Sequence, residues 1–325
     1  MKPGKSTAAA CSNVPFIKYW GNRDAARRVP LNDSISMNLD HATTTTTVAF
    51  DEQLNEDEVM IGDKAATELA KARVVEHLNR IRALAKMETK ARVESHNTFP
   101  MGVGIASSAS GFAALTLAGT HAAGLDLSEK ELSMLARRAS GSASRSVPGG
   151  FVEWVTGSDI DQSYATSIAQ PDYWDLRDAI AIVTTVEKAI SSTEGHKAAP
   201  TSLFLPERLN ALPVRFHRVR RAVLSKDLAL LGPAIEDEAI EMHMIAMTSR
   251  PRILYWAPGT VRVIQEVLRW RNDGLAVYFT LDAGPNVHLI CEGKDAEQVT
   301  ELARQLPEVQ SIISNRPGGP AQTVE

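Results

Sequence analysis

Cysteine is scarce in this chain: 325 residues carry two, Cys11 and Cys291, far apart and in no CxxC pair. That scarcity excludes a disulfide scaffold and a thiolate metal site, and it predicts reduced thiols in a cytoplasmic protein. No run approaches the ~18 consecutive apolar residues of a membrane span. The opening MKPGKSTAAA has no apolar core of the kind a signal peptide needs and is expected to be an ordered or fraying start. The eight histidines form no HExxH or closely spaced set, which speaks against zinc. A GxSxG elbow is also missing, so serine hydrolysis is poorly supported. Positive charge is not in excess either: the net charge is -4, and no global basic field invites nucleic acid. An anionic ligand would therefore need a local cluster of cations.

What is present reads as a soluble globular chain, with 44% hydrophobic and 23% charged residues, long enough to bury a core without staples. Residues 34–39 alternate polar and apolar, and five threonines at 43–47 run into Val48, Ala49 and Phe50. Both segments predict strands, with turns at 30–33 and around Asp40. Leu69, Ala72, Val75, Leu78, Ile81 and Leu84 recur among charged residues and predict a helix within 65–87. A Gly/Ser-rich turn at 100–111 leads into an Ala/Leu-rich helix ending near Gly124. Ser128 and Glu131 form a capping box for a helix over 127–138. Strands are expected at 92–96, 151–155, 179–186, 277–281 and 288–291. Helices are expected at 206–230, 233–248, 261–270 and 296–306, and a Gly/Pro-rich tail from 314 is expected to fray. Helices and strands mix without a strict βαβ beat. That predicts an α+β fold of two lobes with a cleft between them, dividing near 165–175 into 1–170 and 171–325.

Four segments carry candidate chemistry. The turn PMGVGIASSASG at 100–111 offers Gly102 and Gly104 for close backbone approach, a helix N-terminus for an anion, and the hydroxyls of Ser107 and Ser108 for phosphate or Mg2+. No Gly-Lys-Ser/Thr follows, so it is not a Walker A loop, and a tight turn before a core helix has the same composition. NVPFIKYWGNRD at 13–24 sets Lys18, Tyr19 and Trp20 side by side, a pattern shared with a strand carrying a snorkelling lysine. SGSASRSVPGG at 140–150 gathers serines around Arg145, which can hold a carboxylate or phosphate by two parallel hydrogen bonds or simply lie in a solvated loop. DAGPN at 282–286 follows an apolar strand. Asp282 at that strand end can position a hydroxyl beside a lysine, or it can be an ordinary turn aspartate.

Taken in order, these segments resemble the mevalonate diphosphate decarboxylase family. NVPFIKYWGNRD is similar to that family's N-I-x-x-I-K-Y-W-G-K-R-D opening. PLNDSISMNLD, TTTTT, FPMGVGIASSASGFAAL, ARRASGSASRSVPGGFVEW, ISSTEG and FTLDAGPN then follow in the family's order, over about residues 13 to 290. The resemblance implies the fold of the GHMP kinases, the galactokinase, homoserine kinase, mevalonate kinase and phosphomevalonate kinase group. That fold has an ATP-binding N-terminal lobe like the second domain of a small-subunit ribosomal protein and a ferredoxin-like C-terminal lobe, commonly in a homodimer. The implied reaction uses ATP and Mg2+ to phosphorylate the tertiary 3-hydroxyl of a 5-phosphorylated mevalonate; phosphate and CO2 are then lost, in isoprenoid biosynthesis.

Residue by residue, the resemblance implies that Asp282 orients or deprotonates the hydroxyl, that Lys18 lies near Asp282 and the transferring phosphate, and that Arg145 holds the substrate carboxylate. It places Ser140, Ser142, Ser191 and Ser192 along the substrate and Tyr19 near the 5-phosphoryl end. Gly102, Gly104, Ala106, Ser107 and Ser108 would line the nucleotide phosphates, with Ser108 also at the Mg2+. One departure matters: Asn22 stands where the family carries a lysine near the distal phosphate. Losing a charge-assisted contact of ~1.5–3 kcal/mol tilts the expectation towards mevalonate 5-phosphate as substrate and isopentenyl phosphate as product. The 5-diphosphate, with Arg23 or another cation in the lysine's place, is the alternative. Relatives that stop at 3-phosphorylation, or only bind, tend to lose parts of the Lys18, Arg145 and Asp282 set, all present here.

Overall fold

The computed structural model describes residues 4–99, 107–159 and 162–324. In chain order the strands are β1 (Lys5–Ile17), β2 (Asn22–Asp24), β3 (Val29–Pro30), β4 (Ser34–Asp51), β5 (Glu58–Ile61), β6 (Lys64–Ala65), β7 (Lys90–Asn97), β8 (Phe151–Trp154), β9 (Ala165–Ala169), β10 (Leu176–Ile182), β11 (Val277–Leu281), β12 (Val287–Glu292), β13 (Ser311–Asn315) and β14 (Gln322–Val324). The helices are α1 (Glu68–Ala85), α2 (Ser107–Ala122), α3 (Glu129–Ala139), α4 (Ser192–Ala198), α5 (Leu205–Ser225), α6 (Leu228–Thr248), α7 (Pro258–Asn272) and α8 (Ala296–Arg304). A 3-10 helix occupies Gly141–Ser146. The class is α+β, as the mixed pattern predicts.

The larger sheet runs β14-β1-β4-β7-β5-β6, with β8 and β9 continuing from the lower half of β4; the smaller runs β11-β12-β10-β13. Helices α1, α2 and α3 cover one face of the larger sheet through Leu78, Phe112, Leu115 and Leu132. A central core joins Phe16, Ile35 and Met37 of the larger sheet to Ile180 and Ile290 of the smaller one, with α5 and the start of α6 filling the space. Helices α7 and α8 close the outer face of the smaller sheet through Val263, Val267 and Val299. Strand β10 is therefore covered on both faces, which is why its second half, Ala179 to Ile182, is wholly apolar; the strand expected at 179–186 starts at Leu176 and ends at Ile182.

Residues 34–51 form one strand, not two. The turn expected around Asp40 is a bulge: Leu39 pairs with Ser12 and Thr43 with Cys11, leaving Asp40 to Ala42 unmatched. The Asp40 carboxylate accepts from the backbone N–H and from Nε of Arg316, both at 2.9 Å. Thr44 and Thr46 face inwards, and each needs a partner for its buried hydroxyl. Thr44 donates to Asn97 Oδ1 and shares a 2.6 Å contact with Ser110 of α2, and Thr46 meets Ser95 at 2.9 Å. The threonine run thus ties the start of α2 to the sheet.

Other expectations need correction. In α1 the buried stripe is Val74, His77, Leu78, Ile81 and Arg82, while Leu69 and Leu84 are exposed. A strict three-residue step precesses by about 60° per step on a helix of 3.6 residues per turn, so the two ends of that series leave the core face. Pro233 does not start a helix: α6 begins at Leu228 on the Asp227 cap and carries Pro233 inside it. The tail does not fray either. Its first residues, Ser314 and Asn315, end β13 and pair with β10, and β14 pairs with β1, aligning Val324 with Thr7. The capping box at Ser128 and Glu131 is present as expected.

Candidate active site

Lys18 lies just past the end of β1 and Asp282 just past the end of β11, so the two sheets deliver one residue each to the cleft. Their side chains meet, Lys18 Nζ to Asp282 Oδ1, at 2.8 Å. The Lys18 backbone is held on both sides. Its N–H donates to Glu238 Oε1 at 3.0 Å, and its carbonyl accepts from Asn32 Nδ2 at 3.0 Å and Arg208 Nη2 at 2.9 Å. Arg208 and Glu238 form an ion pair whose side chains are both 0% exposed. His243, one and a half turns beyond Glu238 on α6, donates from Nε2 to the Asp282 carbonyl at 3.1 Å. One stretch of α6 therefore braces both members of the Lys18–Asp282 pair.

Arg145 comes from the 3-10 helix and is fully enclosed. Its Nε and Nη2 donate to Asn13 Oδ1 at 3.3 and 3.2 Å, and its Nη1 donates to Ser34 Oγ at 2.7 Å. Three of the five guanidinium N–H groups are so used, leaving two for a ligand. Asn13 is itself turned by donating to Ser146 Oγ at 2.8 Å. Trp154 lies under the guanidinium at 5.6 Å. Burial lowers the Arg145 pKa to about 10, with Asp282 pulling the other way, so the group stays charged at neutral pH. Burial likewise lowers Lys18, and Asp282 again opposes it.

These three groups line one cavity of about 90 Å³, together with Ser108, Ser142 and Lys188. Lys188 donates to the Ala283 carbonyl, and burial lowers its pKa against the pull of Asp282. Three cations thus face one carboxylate, in a chain whose net charge is -4. A neighbouring cavity of about 170 Å³ shares Tyr19, Ser108, Ser142, Ser192 and Lys188 with the first, and adds Ser107, Ser140, Ser191, Arg28 and Arg73. Ser108 Oγ lies 3.3 Å from Ser140 Oγ, which lies 3.3 Å from Ser142 Oγ. The Ser191 hydroxyl is committed to capping α4, where it takes part in a capping box with Glu194. A third cavity, of about 580 Å³, is walled by Val59, Val74, Val93, Phe112 and Leu115 and reaches Ser107 and Ser108 at the start of α2. Gly102, Gly104 and Ala106 lie outside the described residues.

Asn22 reaches the site through Tyr19, whose hydroxyl donates to Asn22 Oδ1. Arg23 turns away, giving Nη2 to the Gly157 carbonyl at 3.2 Å on the exposed surface. Tyr19 packs edge-on against Trp154 and lies over His196. Two glycines permit this packing, since a Cβ on Gly141 would fall into the Tyr19 ring and one on Gly195 into the Trp20 ring. His196 Nδ1 accepts from the Gly21 N–H at 2.8 Å, so its proton sits on Nε2. Sequence reasoning missed Asn13, Lys188, His196, Arg208, Glu238 and His243. Glu238 stands among the acidic residues Glu236, Asp237 and Glu241, and nothing local marks it as the buried one.

The arrangement suits a nucleotide beside a small polyanion. An apolar cavity of this size matches a base, and the N-terminus of α2 with Ser107 and Ser108 matches its phosphates. Magnesium fits as an ion brought in on those phosphates and touched by Ser108, because Mg2+ keeps several waters and needs few protein ligands. Among the described residues no cluster of three or more His, Cys, Asp or Glu could hold a metal by itself.

Comparison with known proteins points the same way. Residues 10–165 match a diphosphomevalonate decarboxylase-like N-terminal domain, and residues 179–321 a mevalonate 5-diphosphate decarboxylase C-terminal domain. The phosphomevalonate decarboxylase of Haloferax volcanii is 32% identical over 323 residues, 99% of this chain and 98% of that one. The mevalonate diphosphate decarboxylase of Staphylococcus aureus superposes with a TM-score of 0.94 at 33% identity, over 99% of this chain and 98% of that one. A solved complex of MDDEF with MVAPP, AMPPCP and magnesium gives a TM-score of 0.93 at 36% identity, over 99% of both chains.

Proposed function

The chain belongs to the mevalonate diphosphate decarboxylase family and shares its GHMP kinase fold, and from that premise we propose that this ATP-dependent decarboxylase acts on mevalonate 5-phosphate to give isopentenyl phosphate. The observation that carries the chemistry is the 2.8 Å contact of Lys18 with Asp282, in a cavity that Arg145 also lines. In this reading Asp282 orients the tertiary 3-hydroxyl and takes its proton, with Lys18 and Lys188 holding negative charge on the acceptor side. A tertiary alcohol is a poor nucleophile, so the gain comes from alignment. Magnesium-bound ATP supplies the phosphoryl group that turns the 3-oxygen into a leaving group. The leaving phosphate carries the hydroxyl proton away from Asp282 as it departs, and the restored carboxylate stabilises the positive charge that develops at C3. Arg145 keeps its side chain charged and presents two N–H groups to the substrate carboxylate, which leaves as CO2. Asn13 and Ser34 fix the guanidinium, so the carboxylate is oriented by a group that does not follow it.

The preference for a single phosphate rests on position 22. Asn22 is neutral and holds the Tyr19 hydroxyl, and Arg23 is turned to the surface, so neither supplies the cation that a distal phosphate would meet there. The same reading makes the protein a cytoplasmic homodimer. The test is a steady-state comparison of mevalonate, its 5-phosphate and its 5-diphosphate with Mg-ATP, following ADP and CO2 together. Equal release of ADP and CO2, with the highest kcat/KM on the 5-phosphate, is expected. A large preference for the 5-diphosphate overturns the substrate reading, and ADP without CO2 overturns the decarboxylase reading.

A further inference from the structure

We propose that Arg28 is the cation that grips the 5-phosphoryl group of the substrate in this chain, taking over from the hairpin β2–β3 the role left empty at position 22. The assignment deepens the reading above and rests on a 5-phosphorylated mevalonate being the substrate.

Arg28 stands at the end of the turn between β2 and β3, in the left-handed region with φ 52°. That conformation is uncommon for a residue with a Cβ and costs on the order of 1 kcal/mol. Its side chain lines the cavity that also holds Tyr19, Ser140, Ser142 and His196. Nε donates to the Arg138 carbonyl at 3.3 Å, which leaves both terminal nitrogens free to bond a ligand. No carboxylate pairs with Arg28 among the described residues, and no Asp or Glu lines this cavity. A half-buried guanidinium without a counter-charge, in one cavity with the Ser140 and Ser142 hydroxyls, is the donor set of a phosphate site.

The other two cations of the cavity face elsewhere. Arg73 also lines the large apolar cavity, where it lies over Phe112 at 4.8 Å. Lys188 also lines the cavity of Lys18 and Asp282 and is tied to the Ala283 carbonyl. Arg28 alone of the three lines just this cavity, on the side of Tyr19. His196 contributes a neutral N–H there. Its Nδ1 is occupied by the Gly21 amide, and burial, reinforced by the charge of Arg28, takes its pKa down to about 3. The positive charge at this end is therefore that of Arg28.

The test compares wild type with Arg28→Met and Arg28→Lys, measuring kcat and KM for mevalonate, its 5-phosphate and its 5-diphosphate, together with the competitive Ki of inorganic phosphate. For Arg28→Met, KM on the 5-phosphate should rise ~10–100-fold, as expected for losing a charged hydrogen bond, with kcat within about 3-fold. Inorganic phosphate should weaken in parallel, and KM for mevalonate should not move. Arg28→Lys should recover most of the loss. An equal rise in KM for mevalonate, a fall in kcat with KM unchanged, or a lysine variant no better than methionine would each overturn the assignment. If wild type prefers the 5-diphosphate, the monophosphate reading fails, while Arg28 is still judged by whether its loss raises KM for that substrate.

Discussion

Replacing Glu238 by glutamine tests whether α6 positions the catalytic pair. The change keeps the size of the side chain and an oxygen to accept from the Lys18 N–H. Among the described residues it removes the only carboxylate against Arg208, whose guanidinium is wholly buried, and one of two against Arg215. Breaking a buried pair from one side costs about 3–5 kcal/mol, because the remaining charge is left unpaired. Unfolding entropy of ~2.1 cal/mol/K per residue, over 325 residues, makes that a fall of about 4–7 °C in Tm. The second consequence is local. With Arg208 free to shift, the Lys18 carbonyl keeps only Asn32, and Nζ loses its fixed approach to Asp282. A misplacement near 1 Å can cost ~100-fold in rate, so kcat should fall about 10–100-fold with KM little changed. Arg215→Met is the control, since Arg215 meets Glu238 and Glu241 but not Lys18. It should lower Tm and leave kcat within a few-fold of wild type. Thermal unfolding by circular dichroism and coupled assay of ADP at saturating substrate provide both readings. If Glu238→Gln loses stability yet keeps full kcat, or if both variants lose kcat alike, the brace does not act through Lys18.

Two further outcomes follow from buried bases. Lys18 is pushed below the ordinary lysine range by burial, so its charged form is lost as pH rises through that lowered value, and kcat should decline there. Lys18→Arg keeps a cation that does not titrate in this range, so it should lower kcat at pH 7 but flatten the alkaline limb; an unchanged limb assigns it to another group. His77 and His243 are both brought to about 3 by burial. Each donates from Nε2, to Thr116 Oγ1 or to the Asp282 carbonyl, and keeps an unpaired buried Nδ1 that protonation would turn into an unsatisfied donor. Their folded pKa lies below the unfolded value of ~6.5, so the unfolded state binds more protons in between and stability falls as pH drops below 6.5. The slope should reach up to ~1.4 kcal/mol per pH unit for each histidine, read from urea midpoints between pH 8 and 5. His196, also brought to about 3, adds an equal share, so His77→Gln should remove about a third of the total, and an undiminished slope would refute the account.

The sequence carried the fold class and much of the order of elements because both depend on local patterns. The strand at 34–39 and the capping box at Ser128 are local and appear where expected, and the apolar residues 179–182 fall within β10 although that strand ends four residues earlier than the pattern predicts. What failed depends on distant partners. The bulge at Asp40 exists because Arg316 arrives from the far end of the chain, and the tail is ordered because β1 offers an open edge to β14. Composition around 314–325 has no means of registering that edge, so its glycines and prolines read as fraying. Gly318 in fact accepts and donates backbone hydrogen bonds with Gly150 and Asn38, both at 2.8 Å.

The site divides along the same line. Lys18, Arg145 and Asp282 were singled out because their segments, taken together and in order, resemble one family; each segment alone also fits an ordinary strand, loop or turn. Glu238, Arg208 and His243 lie in ordinary helices, and nothing nearby distinguishes them from surface positions. They reach the site through contacts 220, 190 and 39 residues away in sequence, in that order. Such residues are selected by the need to satisfy polar groups that the cleft cannot leave to water. The end of β1 brings a lysine into the interior, its peptide needs partners on both sides, and a charged pair on α5 and α6 supplies them. The same demand explains the cationic cavity in an acidic chain. The charges of Lys18 and Lys188 are partly offset by Asp282, whereas Arg145 is held by neutral Asn13 and Ser34, and Arg28 meets no carboxylate among the described residues. A polyanion entering the cleft therefore finds its strongest unbalanced fields at the two ends it must be held by, with the reacting centre between them beside the one carboxylate.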